Sequence, residues 1–331
     1  MTPNKVEELI RKWNDDGLTE LSTVNRRLIH LEERLYKSYE PTKASRAEYW
    51  ERLERWLFSV DDEQQQQTLL KLAPEIFYVG PEEFVELYRS AYSGPISRWL
   101  IELENIDICS SDAQKLLKSA AENTWFCPLS DSLRINSFYH VNDIASGANH
   151  RPDWRSLEQL GSKGKILNYC KEKKIKRIVI LEDFVGGGTQ ASEALPFASA
   201  LSLDLEILFI PLIVCPTGAD YCRSLCESHS NLRFEPIIEL PRRAFFNESD
   251  TPFDVKFTGA LRGLVQDTYS KVSGGIPTPN KPYGPYGYPP EKPVGGLVVM
   301  YSNTPDNSIP LIHWRPAAGT WSPLFPRHSR V

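Results

Sequence analysis

The 331-residue sequence predicts an α/β fold, a mostly parallel sheet behind an N-terminal helical region. Three observations carry this. Short runs rich in Ile, Leu, Val and Phe recur after residue 122. They are apolar on both faces, as strands covered by helices on each side are. Helix-forming segments separate several of these runs, which is the alternation of a parallel sheet with crossover helices. The first 122 residues instead place apolar positions at helical spacing with charges between them. The texture thus divides the chain into a helical region, 1–122, and an α/β domain, 123–331.

The elements follow in chain order. "VEELIRKW" and "VNRRLIHLEERLYKSY" each bury one stripe if helical. "SRAEYWERLERWLFSV" places Ser45 as an N-cap before Glu48. "PEEFVELYRSAY" opens on Pro81 and two acids, which suit the first turn of a helix. "SDAQKLLKSAAEN" has Ser111 or Asp112 as its cap. The texture changes at "TWFCPLSDSLR", an apolar run entering a polar loop. "IKRIVILE", "DLEILFIPLIV", "LRFEPIIEL" and "GGLVVMYSN" then read as strands, and "SLEQLGSKGKILNYCKEKK" and "TQASEALPFASAL" as helices between them. Residues 273–296 are dense in Pro, Gly and Tyr and exclude both helix and central strand. They form either a linker or an ordered loop packed by its tyrosines. The aromatic tail after Asn303 is expected to dock against the body.

Composition narrows the function classes. The net charge of −5 argues against a general nucleic-acid binder. No stretch approaches the roughly 20 apolar residues that span a bilayer, so a membrane partner is not expected. "MTPNKVEELIRKW" is charged and lacks the apolar core of a secretory signal. Six cysteines in a chain of this length make no disulfide framework. A cytoplasmic setting is the expectation.

The stretch with the most chemistry is "IVILEDFVGGGTQ". Ile178 to Leu181 form a buried strand, and Glu182 and Asp183 stand at its carboxyl end, where open α/β sheets place ligands. Gly186, Gly187 and Gly188 let the backbone turn tightly and gather its N–H groups. Thr189 adds a hydroxyl, and a helix starting near Gln190 or Ala191 adds the positive end of its dipole. This is an anion nest suited to a phosphate. The acids beside it suit sugar hydroxyls or a hydrated magnesium ion a few ångströms away. Other phosphate loops fit less well: no lysine follows the glycines, as a P-loop needs, and the acids precede the glycines, where a Rossmann fingerprint has its acid some way after them. A plain strand-to-helix turn is the alternative, yet three adjacent glycines cost stability with no packing gain.

At this motif the chain resembles the phosphoribosyltransferases, whose signature is an apolar strand, two acids, two apolar residues and a short Thr/Gly-rich loop entering a helix. More closely, "LEDFVGGGTQ" and the C-terminal "NTPDNSIPLIHW" with "WSPLFPR" resemble the phosphoribosyltransferase-like (PRTase-CE-like) domains of bacterial conflict, anti-phage systems, over about residues 120–331. The resemblance implies a type I-like phosphoribosyltransferase architecture and a loop, Gly186 to Gln190, that binds the 5′-phosphate of phosphoribosyl pyrophosphate. It implies that Glu182 and Asp183 face the ribose hydroxyls. A magnesium ion would bridge ribose and pyrophosphate, held through the substrate rather than by a protein cage, with Asp183 within its reach. The implied partners are a phosphosugar or nucleotide, an ATPase encoded alongside and, in retron systems, a reverse transcriptase with its RNA–DNA hybrid. The chain departs from the salvage enzymes at Gly186, where many carry an acid that moves a proton on the base. Gln190 stands where many have Thr.

Other positions leave alternatives open. Ser130, Asp131, Ser132 and Arg134 are the candidates for a pyrophosphate loop, or they form an ordinary polar turn. Residues 137–154, with His140, His150 and Arg151, read as a lid or as a plain long loop. Asn303, Asp306 and Asn307 would read a base edge with Tyr301 or Trp314 stacked on it, or they form an Asx-turn network holding the tail. Cys222, Cys226 and His229 have a weak metal spacing and read as packing or exposed thiols. The basic run 163–177 reads as a solvated helix face or a partner surface.

The leading functional reading is a phosphoribosyltransferase-like effector acting at the anomeric centre of a ribose 5-phosphate. One rival is a non-catalytic nucleotide or phosphosugar sensor. Another is a scaffold working through the helical region. The sequence leaves the base, the oligomeric state and catalytic competence open.

Overall fold

The computed structural model describes residues 5–43, 47–144, 163–247, 253–274, 283–291 and 293–328. They form two compact units, Met1–Pro81 with Pro241–Val331, and Glu82–Leu240. The change of texture at residues 122–123 falls inside the second unit.

The first unit begins with α1 (Lys5–Asp15), α2 (Glu20–Arg34), α3 (Tyr49–Leu57) and α4 (Glu63–Leu72). Val6, Ile10 and Trp13 of α1 recur at helical spacing and are buried, as are Leu53, Trp56 and Leu57 of α3. Asp62 caps α4, its side chain accepting the Gln65 N–H at 2.8 Å. The proposed cap Ser45 lies outside the described residues. Strand β1 (Phe77–Val79) closes this part.

The second unit carries the larger sheet. Helix α5 (Pro81–Ala91) starts on proline and two acids, as its sequence predicts. A π-helical turn leads into α6 (Ser97–Glu104), and α7 (Ala113–Glu122) follows, with Asp112 at its cap position but making no side-chain cap bond. Then come β2 (Thr124–Pro128), α8 (Ile135–Val141), α9 (Lys163–Glu172), β3 (Arg177–Val185), α10 (Thr189–Ser199), β4 (Glu206–Val214), α11 (Pro216–Ser228), β5 (Leu232–Phe234) and β6 (Ile238–Glu239).

The sheet runs β2-β3-β4-β5, all parallel, with β6 also on β4. β5 and β6 are one edge line broken at Pro236, which has no N–H to donate. The flanking amides still reach β4: Glu235 N–H donates to Phe209 O and Ile237 N–H to Pro211 O, each at 3.0 Å. One sheet face, with Ile178, Ile180, Ile207 and Phe209, packs with Ile166 and Cys170 of α9, Ala194 and Leu195 of α10, and Cys222 of α11. On the other face Phe126 meets Phe138 of α8, ring centroids 5.7 Å apart, and Phe138 meets Tyr88 of α5 at 6.0 Å. Burying each of these large apolar side chains stabilises the fold by about 1.5–3 kcal/mol before entropy is counted. The central strands are therefore held firmly, and so is whatever they carry at their ends.

The chain then returns to the first unit through α12 (Val255–Val272), β7 (Val298–Met300) and α13 (Pro310–His313). β7 has the apolar signature of a central strand, yet it pairs in parallel with β1 in a separate two-stranded sheet. A buried apolar run reveals that a strand is covered and not which strand lies beside it. The expected docking of the tail is observed: Trp321, Leu324 and Phe325 are buried in the core of this unit, and Trp321 Nε1–H donates to Leu311 O at 2.9 Å. Among the described residues no helix is long and apolar enough to cross a membrane.

Candidate functional site

The site is built at the carboxyl end of β3. Ile178 to Leu181 are buried because both faces of the sheet are covered, and that burial continues into the two acids: Glu182 is 1% exposed and Asp183 4%. A carboxylate taken out of water needs hydrogen-bond donors. They come from the turn after β2. The Leu129 N–H donates to Leu181 O at 2.7 Å, which carries the β2–β3 ladder one residue past Pro128 and brings Ser130 to Glu182.

Ser130 then donates twice to Glu182, from its N–H to Oε2 at 3.0 Å and from Oγ to Oε1 at 2.5 Å. Ser132 Oγ donates to Asp183 Oδ1 at 2.8 Å and lies 3.4 Å from Glu182 Oε1. The two serine hydroxyls are 2.6 Å apart. Burial pushes the Glu182 carboxyl well above the usual carboxylate range, and the charge of Asp183 adds to the effect. The serine bonds act in the opposite direction. Two separately proposed features, the acid pair and the turn after β2, are thus one hydrogen-bonded cluster. Both oxygens of Glu182 are engaged by that turn, whereas the sequence expectation had them facing a sugar. Asp131 and Arg134, on the same turn, are exposed.

The glycine loop follows at once. The Cys215 N–H, at the end of β4, donates to Val185 O at 2.8 Å and ends the ladder. Gly188 has φ +88° and ψ 9°, a left-handed conformation that favours glycine, and stands at the cap of α10. Helix α10 begins at Thr189, one or two residues before the predicted start. Its first closing bond runs from the Ser192 N–H to Gly188 O at 2.9 Å. Among the described residues the amides of Gly186, Gly187, Gly188, Thr189 and Gln190 donate no hydrogen bond. Gly187 is half-buried, and the side chains of Thr189 and Gln190 are exposed. Consecutive unpartnered N–H groups at a helix N-terminus make a site of positive potential for an anion.

The base-side candidates belong to the other unit, where the two asparagine side chains hold backbone. Asn303 Nδ2 donates to His328 O at 3.0 Å, and its Oδ1 accepts the N–H groups of Thr304 and His328. Asn307 Nδ2 donates to Tyr288 O at 3.0 Å, tying down part of the Pro/Gly/Tyr-rich segment. Asp306 pairs with Arg327 at 3.3 Å, and the Trp314 ring lies 5.0 Å from that of Tyr283. This is the Asx network of the second reading. Cys222 packs in the core, where burial pushes its thiol up to about 12, and His229 Nδ1 lies 2.9 Å from Leu225 O. His150 and Arg151 of the proposed lid lie outside the described residues. Among the described residues no group of three or more His, Cys, Asp or Glu is placed to hold a metal ion.

A family model for PRTase-CE matches residues 53–327. The chain belongs to the PRTase-CE family. The PRTase-CE match starts within α3 and takes in most of both units, more than the span from about residue 120 that the motifs alone mark. The parallel sheet with helices around it is a mixed α/β architecture, consistent with a phosphoribosyltransferase-like fold. No curated protein and no solved structure gives a significant match. What the sequence missed is the Ser130–Glu182 contact, which joins residues 52 positions apart and leaves no local pattern.

Proposed function

We propose that this PRTase-CE protein binds a ribose 5-phosphate, as phosphoribosyl pyrophosphate or a nucleotide, and acts at its anomeric carbon. The observation that carries the reading is the row of unpartnered amides from Gly186 to Gln190 beside a buried acid pair. The amides take the 5′-phosphate, and the positive end of α10 favours its charge. Asp183, oriented by the Ser132 hydroxyl, is the acid set to meet the ribose hydroxyls. Glu182 holds the turn after β2 against β3 and so fixes the distance between the two loops. Breaking an anomeric bond builds positive charge on the ring, which negative charge at this strand end stabilises. Holding phosphate and hydroxyls together supplies the positioning.

Magnesium fits as an ion carried by the substrate. The hard oxygen donors at the strand end are these two carboxylates, and Glu182 is spent on Ser130. When bound, the ion would neutralise charge on a departing pyrophosphate. In a conflict system the same chemistry would strip or remodel nucleotides, alongside an ATPase or a reverse transcriptase with its RNA–DNA hybrid. That setting rests on family resemblance.

A second reading, a phosphosugar sensor, is favoured by Gly186, which puts no proton donor in the loop. Incubation with phosphoribosyl pyrophosphate or nucleotides separates the two. Product formed by the wild type and lost in Asp183→Ala supports the enzyme. Saturable binding with no product supports the sensor.

A further inference from the structure

The glycine loop is gripped by α11 at two points, through residues that no sequence motif singles out. Gly218, in the first turn of α11, lies so close that a Cβ placed on it would overlap the carbonyl oxygen of Gly186 and stand 2.9 Å from Val185 Cγ1. Three residues on, Tyr221 lays its ring against Gly188. A Cβ on Gly188 would stand 2.8 Å from Tyr221 Cδ1 and 3.4 Å from Cγ. Positions three apart share one helix face. One face of α11 therefore touches the first and third glycines, while a Cβ on Gly187 would have nothing within 4 Å.

The contact at Gly218 has a stereochemical consequence. The nearest loop atom to its Cα–Cβ direction is the Gly186 oxygen, nearer than the Gly186 carbonyl carbon at 3.3 Å, so this carbonyl points at α11. In a planar trans peptide the C=O and N–H point in opposite directions. The N–H of that peptide belongs to Gly187, so it points away from α11. Any side chain at 218 would press on the carbonyl and turn this amide. The ring of Tyr221 in turn fills the space beside Gly188, where φ is +88°.

We propose that Gly218 and Tyr221 are positioning residues that aim the loop amides: Gly218 sets the direction of the 186–187 peptide, and Tyr221 braces Gly188. The grip prepares the nest before ligand arrives, which removes an ordering cost from binding. The inference rests on the reading of this loop as a phosphate site, and its test separates the two.

The test uses the 15N-labelled full chain as wild type, Gly218→Ala, Tyr221→Ala and Tyr221→Phe. Without ligand, Gly218→Ala is expected to move the Gly187 amide resonance and Tyr221→Ala that of Gly188, while Tyr221→Phe keeps the ring and moves neither. Ribose 5-phosphate affinity is expected to fall by at least about tenfold in the two alanine variants and to stay within about twofold in the phenylalanine variant. If Gly218→Ala does not fold, Tyr221→Ala against Tyr221→Phe decides the matter. Ligand-free resonances that stay put in the alanine variants overturn the proposal, and so does an affinity that Tyr221→Ala leaves intact. A wild type that ignores ribose 5-phosphate while the ligand-free resonances still move would uphold the grip and overturn the phosphate reading.

Discussion

Replacing Gly187 with alanine is expected to weaken phosphosugar binding and leave the protein as stable as before, whereas Gly188→Ala is expected to destabilise it. A Cβ on Gly187 meets nothing within 4 Å, so the change falls in the ±0.5 kcal/mol range of a site without packing conflict. The same atom stands beside the amides proposed to hold phosphate, and a loss of tenfold or more, about 1.4 kcal/mol, is expected in affinity. At Gly188 two costs combine. A left-handed conformation costs an L-residue about 1–2 kcal/mol. A Cβ 2.8 Å from the Tyr221 ring adds an overpacking cost of about 1–3 kcal/mol. The sum is about 2–5 kcal/mol. Urea unfolding measures stability, and calorimetry with ribose 5-phosphate measures binding. If Gly187→Ala unfolds as readily as Gly188→Ala, or binds like the wild type, the assignment of the open side of the loop is wrong.

Three further outcomes are expected. Glu182→Gln should be more stable than the wild type near pH 7.5 and nearly equal to it near pH 4, as unfolding curves at the two values would reveal. The sign follows from the raised carboxyl: the folded form binds more protons than the unfolded chain above about pH 4.3. Wild-type stability therefore falls by up to about 1.4 kcal/mol per pH unit until Glu182 ionises in the folded state, and glutamine removes that loss. A wild type that gains on the glutamine variant as pH rises would contradict it. Ser130→Ala should cost about 1–3 kcal/mol, because it strips a buried carboxyl of its hydroxyl donor; an unchanged denaturation midpoint would show that the turn does not latch β3. Asp183→Asn should keep the fold, by circular dichroism and melting, and lose product formation from phosphoribosyl pyrophosphate. Retained turnover would remove Asp183 from the chemistry.

The parts of the molecule that were legible in sequence are those specified locally. Ile178 to Leu181 announce a buried strand by being apolar on both faces, and the acids and glycines that follow announce a tight turn, although the packing of α11 that Gly188 also serves leaves no local pattern. The Asx residues 303 and 307 were equally visible, but their two readings differ only in partner. Asn307 finds Tyr288 O, 19 residues back, and no local pattern records that. Strand β7 shows the same limit, since Val298–Met300 pairs with a strand more than 200 residues earlier. The return of residues 241–331 to the unit of the first 81 also depends on long-range burial, with Trp321 and Phe325 entering a core begun by Val6 and Ile10. The latch from Ser130 to Glu182 is the functional case: two ordinary serines acquire meaning only when parallel pairing places them over an acid.

Amide hydrogen exchange with and without ribose 5-phosphate decides whether the loop from Gly186 to Gln190 holds a phosphate. Unpartnered amides exchange quickly, and a phosphate that accepts their hydrogen bonds slows them. Strong ligand-dependent protection is expected in peptides covering residues 186–190. Saturating ligand with protection elsewhere and none at these amides would contradict it.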